Sequence, residues 1–346
     1  MLDVITIGTA SRDVYLMSSH FMVLKDKKHL QKIGFPSGEA ECFALGSKVE
    51  MRDMYFSTGG GATNTAVTFA RQGFKVATVV AVGNDQSGKD IISVLRKEGV
   101  TAYAVVQKNV PTAYATILLT HSGSRTVLVY RNPKLKLTSR SIPLTKLKAR
   151  WAYIVPSDMD YPTLLALFKR LHRNKVLIAV NPSKHFISFG SKALKPLLKY
   201  VKVLLVNREE ASYLTGVSYD KTRELFFALH ELTPGIAVMT DGPKGVMVSD
   251  GFKLYSAGVF KEKKVVDRTG AGDSFGSAFV AGLIRMDESC NIGECNPDKV
   301  SFAIRLASAN ATSKVEHLGA KGGLLTQKEF DRSSRWVKFP ITVKPL

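Results

Sequence analysis

Residues 265–275 read Val265-Val266-Asp267-Arg268-Thr269-Gly270-Ala271-Gly272-Asp273-Ser274-Phe275. Two β-branched residues lead in as at the end of a strand. Phe275, Phe279, Leu283 and Ile284 then recur at helical spacing. The stretch therefore reads as strand, glycine turn and helix N-terminus, with Asp273 in the first helical turn. Backbone N–H groups at a helix start, unobstructed by side chains at Gly270, Ala271 and Gly272, form an anion site. A carboxylate would repel an anionic ligand there, so Asp273 makes chemical sense if it faces a nucleophile. It then accepts a hydroxyl proton while the amides stabilise a transferring phosphoryl group. A helix N-cap aspartate after a glycine turn accounts for the same residues without chemistry. The rest of the chain has to decide between the two.

The chain has 346 residues, 45% of them hydrophobic and 23% charged, which suits one large α/β domain or two smaller ones. No apolar run approaches the roughly 20 residues that cross a bilayer. Met1 to Gly8 reads as a first strand, since it lacks the basic and small-residue features of a signal peptide. Cys42, Cys290 and Cys295 fit no zinc spacing. Free thiols in a reducing cytoplasm are the natural reading, with a Cys290–Cys295 disulfide as the lesser alternative. The net charge of +20 implies attraction to anions. The basic residues are dispersed, with no stacking or zinc-finger motif beside them. They point to anionic ligands more than to a dedicated nucleic-acid site.

Strand 1, about Val4 to Gly8, ends shortly before Asp13, which places Asp13 just past a strand's carboxyl end, where open α/β sheets bind ligands. A turn or cap aspartate is the commoner use of such a residue. Residues 15–57 are long and irregular with weak strands, a pattern typical of a functional lid. Gly59-Gly60-Gly61-Ala62-Thr63-Asn64 lets backbone approach a ligand at a helix start. Gly83-Asn84-Asp85-Gln86-Ser87-Gly88-Lys89-Asp90 matches the P-loop pattern between strand and helix. Asp90 stands where Ser or Thr must hold Mg²⁺, however, and Asp85 puts a carboxylate inside the loop, so the match argues against itself. Residues 112–131 alternate as a hairpin with its turn at His121-Ser122-Gly123-Ser124, a natural partner for the lid strands. From Trp151 to Thr240 strands and helices alternate, which predicts a parallel sheet covered on both faces. Short antiparallel strands follow near 246–248 and 254–260, then helices near 273–284 and 299–315.

Asp13, the Gly59–Asn64 segment, Val82–Gly88, the hairpin, Asn207-Arg208-Glu209-Glu210, Thr240-Asp241-Gly242-Pro243-Lys244-Gly245 and the Asp267–Asp273 turn occur in this order. The set resembles the ribokinase-like (pfkB-type) family of sugar and nucleoside kinases, over nearly the whole chain. The resemblance implies a three-layer αβα sandwich with a mostly parallel central sheet. It implies one domain, 1–346, with a small β lid from about 14–57 and 105–131. It implies acceptor binding by Asp13, Gly60, Gly61 and Asn64, with Asp273 as general base and the Gly270, Ala271 and Gly272 amides as anion hole. ATP falls to Asn207, Thr240, Gly242, Gly245, Gly270, Gly272 and, near the adenine, Asn310. Mg²⁺ falls to Glu210 through water, and K⁺ to Asp267 and Thr269. Arg268 departs from the family's Thr or Ser, and its guanidinium fork suits nucleotide phosphate.

The acceptor stays open between a sugar, a sugar phosphate and a nucleoside. Arg131, Lys48 and Arg52 could meet a phosphate; Tyr15, Phe56 and Tyr114 could meet a base. Lid strands of this family often pair between subunits, so a homodimer is expected. The competing reading is a basic kinase-fold protein that binds nucleic acid or another polyanion without catalysis. A third, a P-loop ATPase centred on Gly83–Asp90, is weaker.

Overall fold

The computed structural model describes residues 1–35, 38–120, 125–287 and 295–346. The expected hairpin turn at His121 to Ser124 and Cys290 lie outside them. Among the described residues, ten strands form one sheet. Seven are mutually parallel, in the spatial order Ile236–Thr240, Val201–Asn207, Leu177–Val180, Ala149–Ile154, Leu2–Gly8, Val76–Gly83 and Thr101–Gln107. Val246–Ser249, Lys253–Ala257 and the C-terminal Ile341–Pro345 extend the Ile236–Thr240 edge antiparallel. That last strand was not expected.

Successive residues of the parallel strands bury on opposite faces, so the strands read as continuous apolar runs. Val203 and Leu205 enter the core beneath the helices Gly61–Arg71, Gln86–Lys97, Ala271–Arg285 and Pro297–Val315. Leu204 and Val206 enter the opposite core, under Tyr161–Arg173, Ser191–Leu198, Arg208–Thr215 and Thr222–Leu232. The result is the expected three-layer sandwich.

A separate four-stranded sheet orders Asp53–Gly59, Ser11–Met17, Tyr114–Leu119 and Arg125–Tyr130. Ser11–Met17 pairs antiparallel with Asp53–Gly59 and parallel with Tyr114–Leu119, so the hairpin joins the earlier lid strands through hydrogen bonds. The irregular 15–57 segment also holds a two-stranded ribbon, Met22–Lys25 with Glu39–Cys42. Residues 105–107 belong to the large sheet and not to the lid.

Two local expectations change. Val265 and Val266 form no strand; the amides of Val266 and Asp267 bond instead to the Val315 carbonyl at the end of the last long helix. Cys42 is a free thiol, whereas Cys295 is disulfide-bonded, against the free-thiol reading. No helix of the described residues is long and apolar enough to cross a membrane.

Candidate active site

Strand Leu2–Gly8 lies between Val76–Gly83 and Ala149–Ile154, so chain order reverses on its two sides and a crevice opens at the strand ends. A cavity of about 280 Å³ fills it, between the sheet and the lid. Asp13, Gly60, Gly61, Asn64, Gly270, Asp273 and Arg131 all line it. Lys136 lines it too, along with Ile117, Val127, Val129 and Leu137.

Asp13 sits within a lid strand and not merely past the end of the first strand. It is buried and accepts the Ser11 hydroxyl at 2.8 Å. Burial raises its pKa, opposed by the Ser11 bond and by the charge of Lys321. Gly60 follows the neighbouring lid strand as the N-cap of helix Gly61–Arg71, and its φ of +95° carries the chain straight from one into the other. Asn64, in that helix's first turn, donates Nδ2–H to Asp273 Oδ2 at 2.9 Å.

Gly270 is the N-cap of helix Ala271–Arg285, with φ +78° in the left-handed region that a side chain would disfavour. Asp273 follows in the first helical turn, as the spacing predicts. Burial raises its pKa, while the Asn64 bond and the Lys321 charge pull it back.

Lys321 was not singled out from sequence. Its buried ammonium donates to the Thr58 carbonyl at 2.5 Å, to Thr63 Oγ1 at 2.9 Å and to Asn64 Oδ1 at 3.1 Å. An amide whose oxygen faces a cation must turn its NH₂ the other way, and here that way leads to Asp273. Desolvation lowers the Lys321 pKa to about 8, against the attraction of Asp13 and Asp273. One ammonium thus offsets two desolvated carboxylates.

A second cavity, about 270 Å³, is lined by Thr240, Gly242, Gly245, Arg268, Ala271 and Gly272 together with Ser308, Ala311, Thr312 and Val315. Asp241 fixes its rim, ion-paired to Arg208 at 2.9 Å and accepting the Tyr219 hydroxyl at 2.8 Å. A third, smaller cavity brings Asn207, Glu210 and Thr240 together with Gly270, Gly272 and Asp273. Asn207 and Glu210 form a capping box, each side chain bonded to the other's backbone N–H at 2.7 and 2.9 Å. Burial raises the Glu210 pKa, the Asn207 N–H opposing it.

Two expectations fail on geometry, and the P-loop match, already doubted on Asp85, fails with them. Asn310 is fully buried, donating to the Ser274 carbonyl at 2.9 Å and accepting the Leu325 N–H at 2.8 Å. Ser308, Ala311, Thr312 and Val315 face the second cavity, so helical periodicity turns Asn310 into the core and away from any adenine. Tyr15 is likewise closed off, packed with Ala115 and Ile117. The P-loop match dissolves because Asp85 accepts from Gly88 N at 2.8 Å, Thr112 N at 2.7 Å and Thr112 Oγ1 at 2.6 Å, filling the loop that a phosphate would need.

The expected K⁺ position also holds something else. Asp267 is buried, and the buried ammonium of Lys314 lies 3.6 Å from its Oδ2. A buried carboxylate already paired with a fixed cation does not suit a second one, so the residues present do not fit K⁺. For Mg²⁺, no cluster of three or more His, Cys, Asp or Glu among the described residues could hold a metal unaided. Glu210, in one cavity with Gly270 and Gly272, fits an ion carried mainly by phosphates and water.

The pfkB family carbohydrate kinase model matches residues 27–327. A ribokinase of Lactococcus lactis is 28% identical over 286 residues, covering 81% of this chain and 86% of that protein. A cytidine kinase of Thermococcus kodakarensis is 27% identical, covering 75% of this chain and 91% of that protein. Among solved structures, Arabidopsis thaliana ribokinase complexed with ribose and ATP superposes with a TM-score of 0.75 at 19% identity, covering 97% of this chain and 99% of that one. The family model spans most of the chain and the fold agrees with it: the chain belongs to the pfkB family of carbohydrate kinases.

Proposed function

We propose that the chain is an ATP-dependent kinase that phosphorylates a hydroxyl, most simply a primary one, of a sugar, sugar phosphate or nucleoside. One observation carries this. Asp273 and Gly270 line both the acceptor cavity and the cavity that leads to Asn207, Glu210 and Thr240, so base and anion-hole residues stand where two ligands meet. Asp13 and Asn64 offer the acceptors and donors that hydroxyls require. In the reaction the acceptor oxygen attacks the γ-phosphorus and its proton passes to Asp273. The bond to the β-phosphate oxygen breaks, and ADP leaves. The Gly270, Ala271 and Gly272 amides stabilise the equatorial oxygens of the moving phosphoryl group.

ATP fits the second cavity, whose Thr240, Gly242 and Gly245 backbone and Arg268 guanidinium suit phosphates; the Arabidopsis ribokinase complexed with ATP supports the nucleotide. Mg²⁺, reached by Glu210 through water, would neutralise phosphate charge when bound. Arg131 and Lys136 favour an acceptor with an anionic end, and the apolar wall of Ile117, Val127 and Val129 favours a base or ring face. Exposed Tyr55, Phe56, Leu128 and Tyr130 on the lid support a homodimer formed through it. A cytoplasmic enzyme is consistent with this chemistry.

The test is ADP release from ATP over a panel of sugars, sugar phosphates and nucleosides. An acceptor that raises ADP release well above the acceptor-free blank is expected. No response to any acceptor, with steeply salt-dependent nucleic-acid affinity, would favour the polyanion reading instead.

A further inference from the structure

Lys314 falls in the last turn of helix Pro297–Val315 and points inward, with no exposed side-chain surface. Its Nζ donates to the Asp267 carbonyl at 2.8 Å and to the His317 carbonyl at 3.2 Å, and its third neighbour is Asp267 Oδ2 at 3.6 Å. The other bonds of that carboxylate come from Thr269 N–H to Oδ1 at 2.8 Å and Gly319 N–H to Oδ2 at 3.1 Å. One carboxylate and two carbonyls therefore converge on one ammonium, and two amides hold the carboxylate in place. They tie the residues just before Gly270 to the segment after the helix. The buried Thr269 and Tyr15 hydroxyls face the same carboxylate and, being neutral, bring no charge for a second cation.

We propose that Lys314 is a built-in monovalent cation behind the Gly270–Gly272 amides, so that this chain works without K⁺. The proposal rests on the kinase reading for what the cation serves, though not for its presence. An ion in solution must be bound and can be absent. An ammonium carried on a helix side chain cannot dissociate from the fold, and it holds the Asp267–Gly270 turn in the shape that aims its amides at phosphate. Lys314 acts as a positioning residue, since it reaches the reacting atoms only through that turn.

The test compares melting temperature and turnover in the chlorides of K⁺, Na⁺ and tetramethylammonium at equal ionic strength. In the parent both should be indifferent to the cation, turnover agreeing within about twofold, because a ligand with no site cannot stabilise the fold. Lys314→Ala leaves Asp267 buried and unpaired, so it should melt lower. It should then regain stability and turnover selectively with K⁺ or methylammonium, which can enter the vacated space. A parent that melts higher, or turns over about tenfold faster, in K⁺ than in tetramethylammonium overturns the proposal. A folded Lys314→Ala with parental stability and turnover in every salt overturns it as well. If the variant does not fold, the parent's two readouts still decide. Absence of turnover in every salt counts against phosphoryl transfer, and the melting comparison then judges Lys314 alone.

Discussion

Lys321 decides how the Asn64–Asp273 pair is presented. Its ammonium fixes the Asn64 oxygen, and Asn64 in turn fixes one oxygen of Asp273, the proposed base. Replacing Lys321 with Met keeps the length and removes the donor, leaving Asp13 and Asp273 uncompensated. Turnover should fall about 10-fold or more, with the acceptor KM rising as well, since breaking a buried charge network by one partner is costly. Unchanged kinetics would show that the network is incidental.

The pH profile follows from the same groups. The proposed base Asp273 would act only when deprotonated, and burial raises its pKa, so the acid limb of turnover should lie above the ordinary carboxylate value of 3.8. The Lys321 pKa is lowered to about 8, so the ammonium is lost, and turnover should decline, as pH rises through that value. Stability shifts differently. The raised carboxylates leave the native state holding protons that the unfolded chain has released, so their contribution weakens as pH rises through their folded pKa values. Lys321 has the opposite effect: the native chain sheds its proton first, so its desolvation cost is relieved between about 8 and 10.5. A turnover profile flat from pH 7 to about 9.5 would contradict the role given to Lys321. Asp273 and Asn64 were legible because each follows glycines at a helix start. Lys321 was not, since a lone lysine after Gly319-Ala320 normally reads as surface.

At the scale of elements, helix starts carry the site, and their caps explain both the successes and the failures. The P-loop look-alike is a cap in full use: Asp85 begins helix Gln86–Lys97 and also holds Thr112. Asp85→Ala should cost about 1–2 kcal/mol in denaturant unfolding. Phosphoryl transfer, measured at saturating ATP, should stay at the parental level. Loss of ATP affinity without loss of stability would instead revive the P-loop reading. Asn207 and Glu210 combine a capping box with a place in the lining of the third cavity, so capping does not exclude the role proposed for them. Helix Pro297–Val315 held a signal that could have been read. Val300, Ala303, Ala307, Asn310 and Lys314 recur at spacings of three and four, and all are buried. An amide and an ammonium on an otherwise apolar stripe point inward, which would have removed Asn310 from the adenine and exposed the Asp267–Lys314 pair. The Val265-Val266 lead-in misread as a strand because β-branched residues fit any extended segment, and here the Val266 amide bonds to the Val315 carbonyl at a helix end instead.

Across the whole molecule, the layer order was legible because apolar runs alternate with helices from 151 to 240, and only a doubly covered parallel sheet buries both faces of such strands. The lid's pairing was legible in kind but not in register: long-range strand partners such as Arg12 and Tyr114 leave no local trace. Strand Ile341–Pro345 escaped notice because it is short and ends in proline, a residue that an edge strand tolerates. The lid's exposed apolar residues predict self-association. Light scattering should give twice the monomer mass, and Phe56→Asp with Leu128→Asp should give the monomer; a parent monomeric at all concentrations would contradict the homodimer.

The central claim joins these scales at one carboxylate, and the most direct measurement is single-turnover phosphoryl transfer by Asp273→Asn with the best acceptor found. The substitution keeps the volume and removes the base, so acceptor binding, read as a thermal shift, should persist while the rate falls about 10²-fold or more. A rate within a few-fold of the parent, with the acceptor bound, would contradict the account.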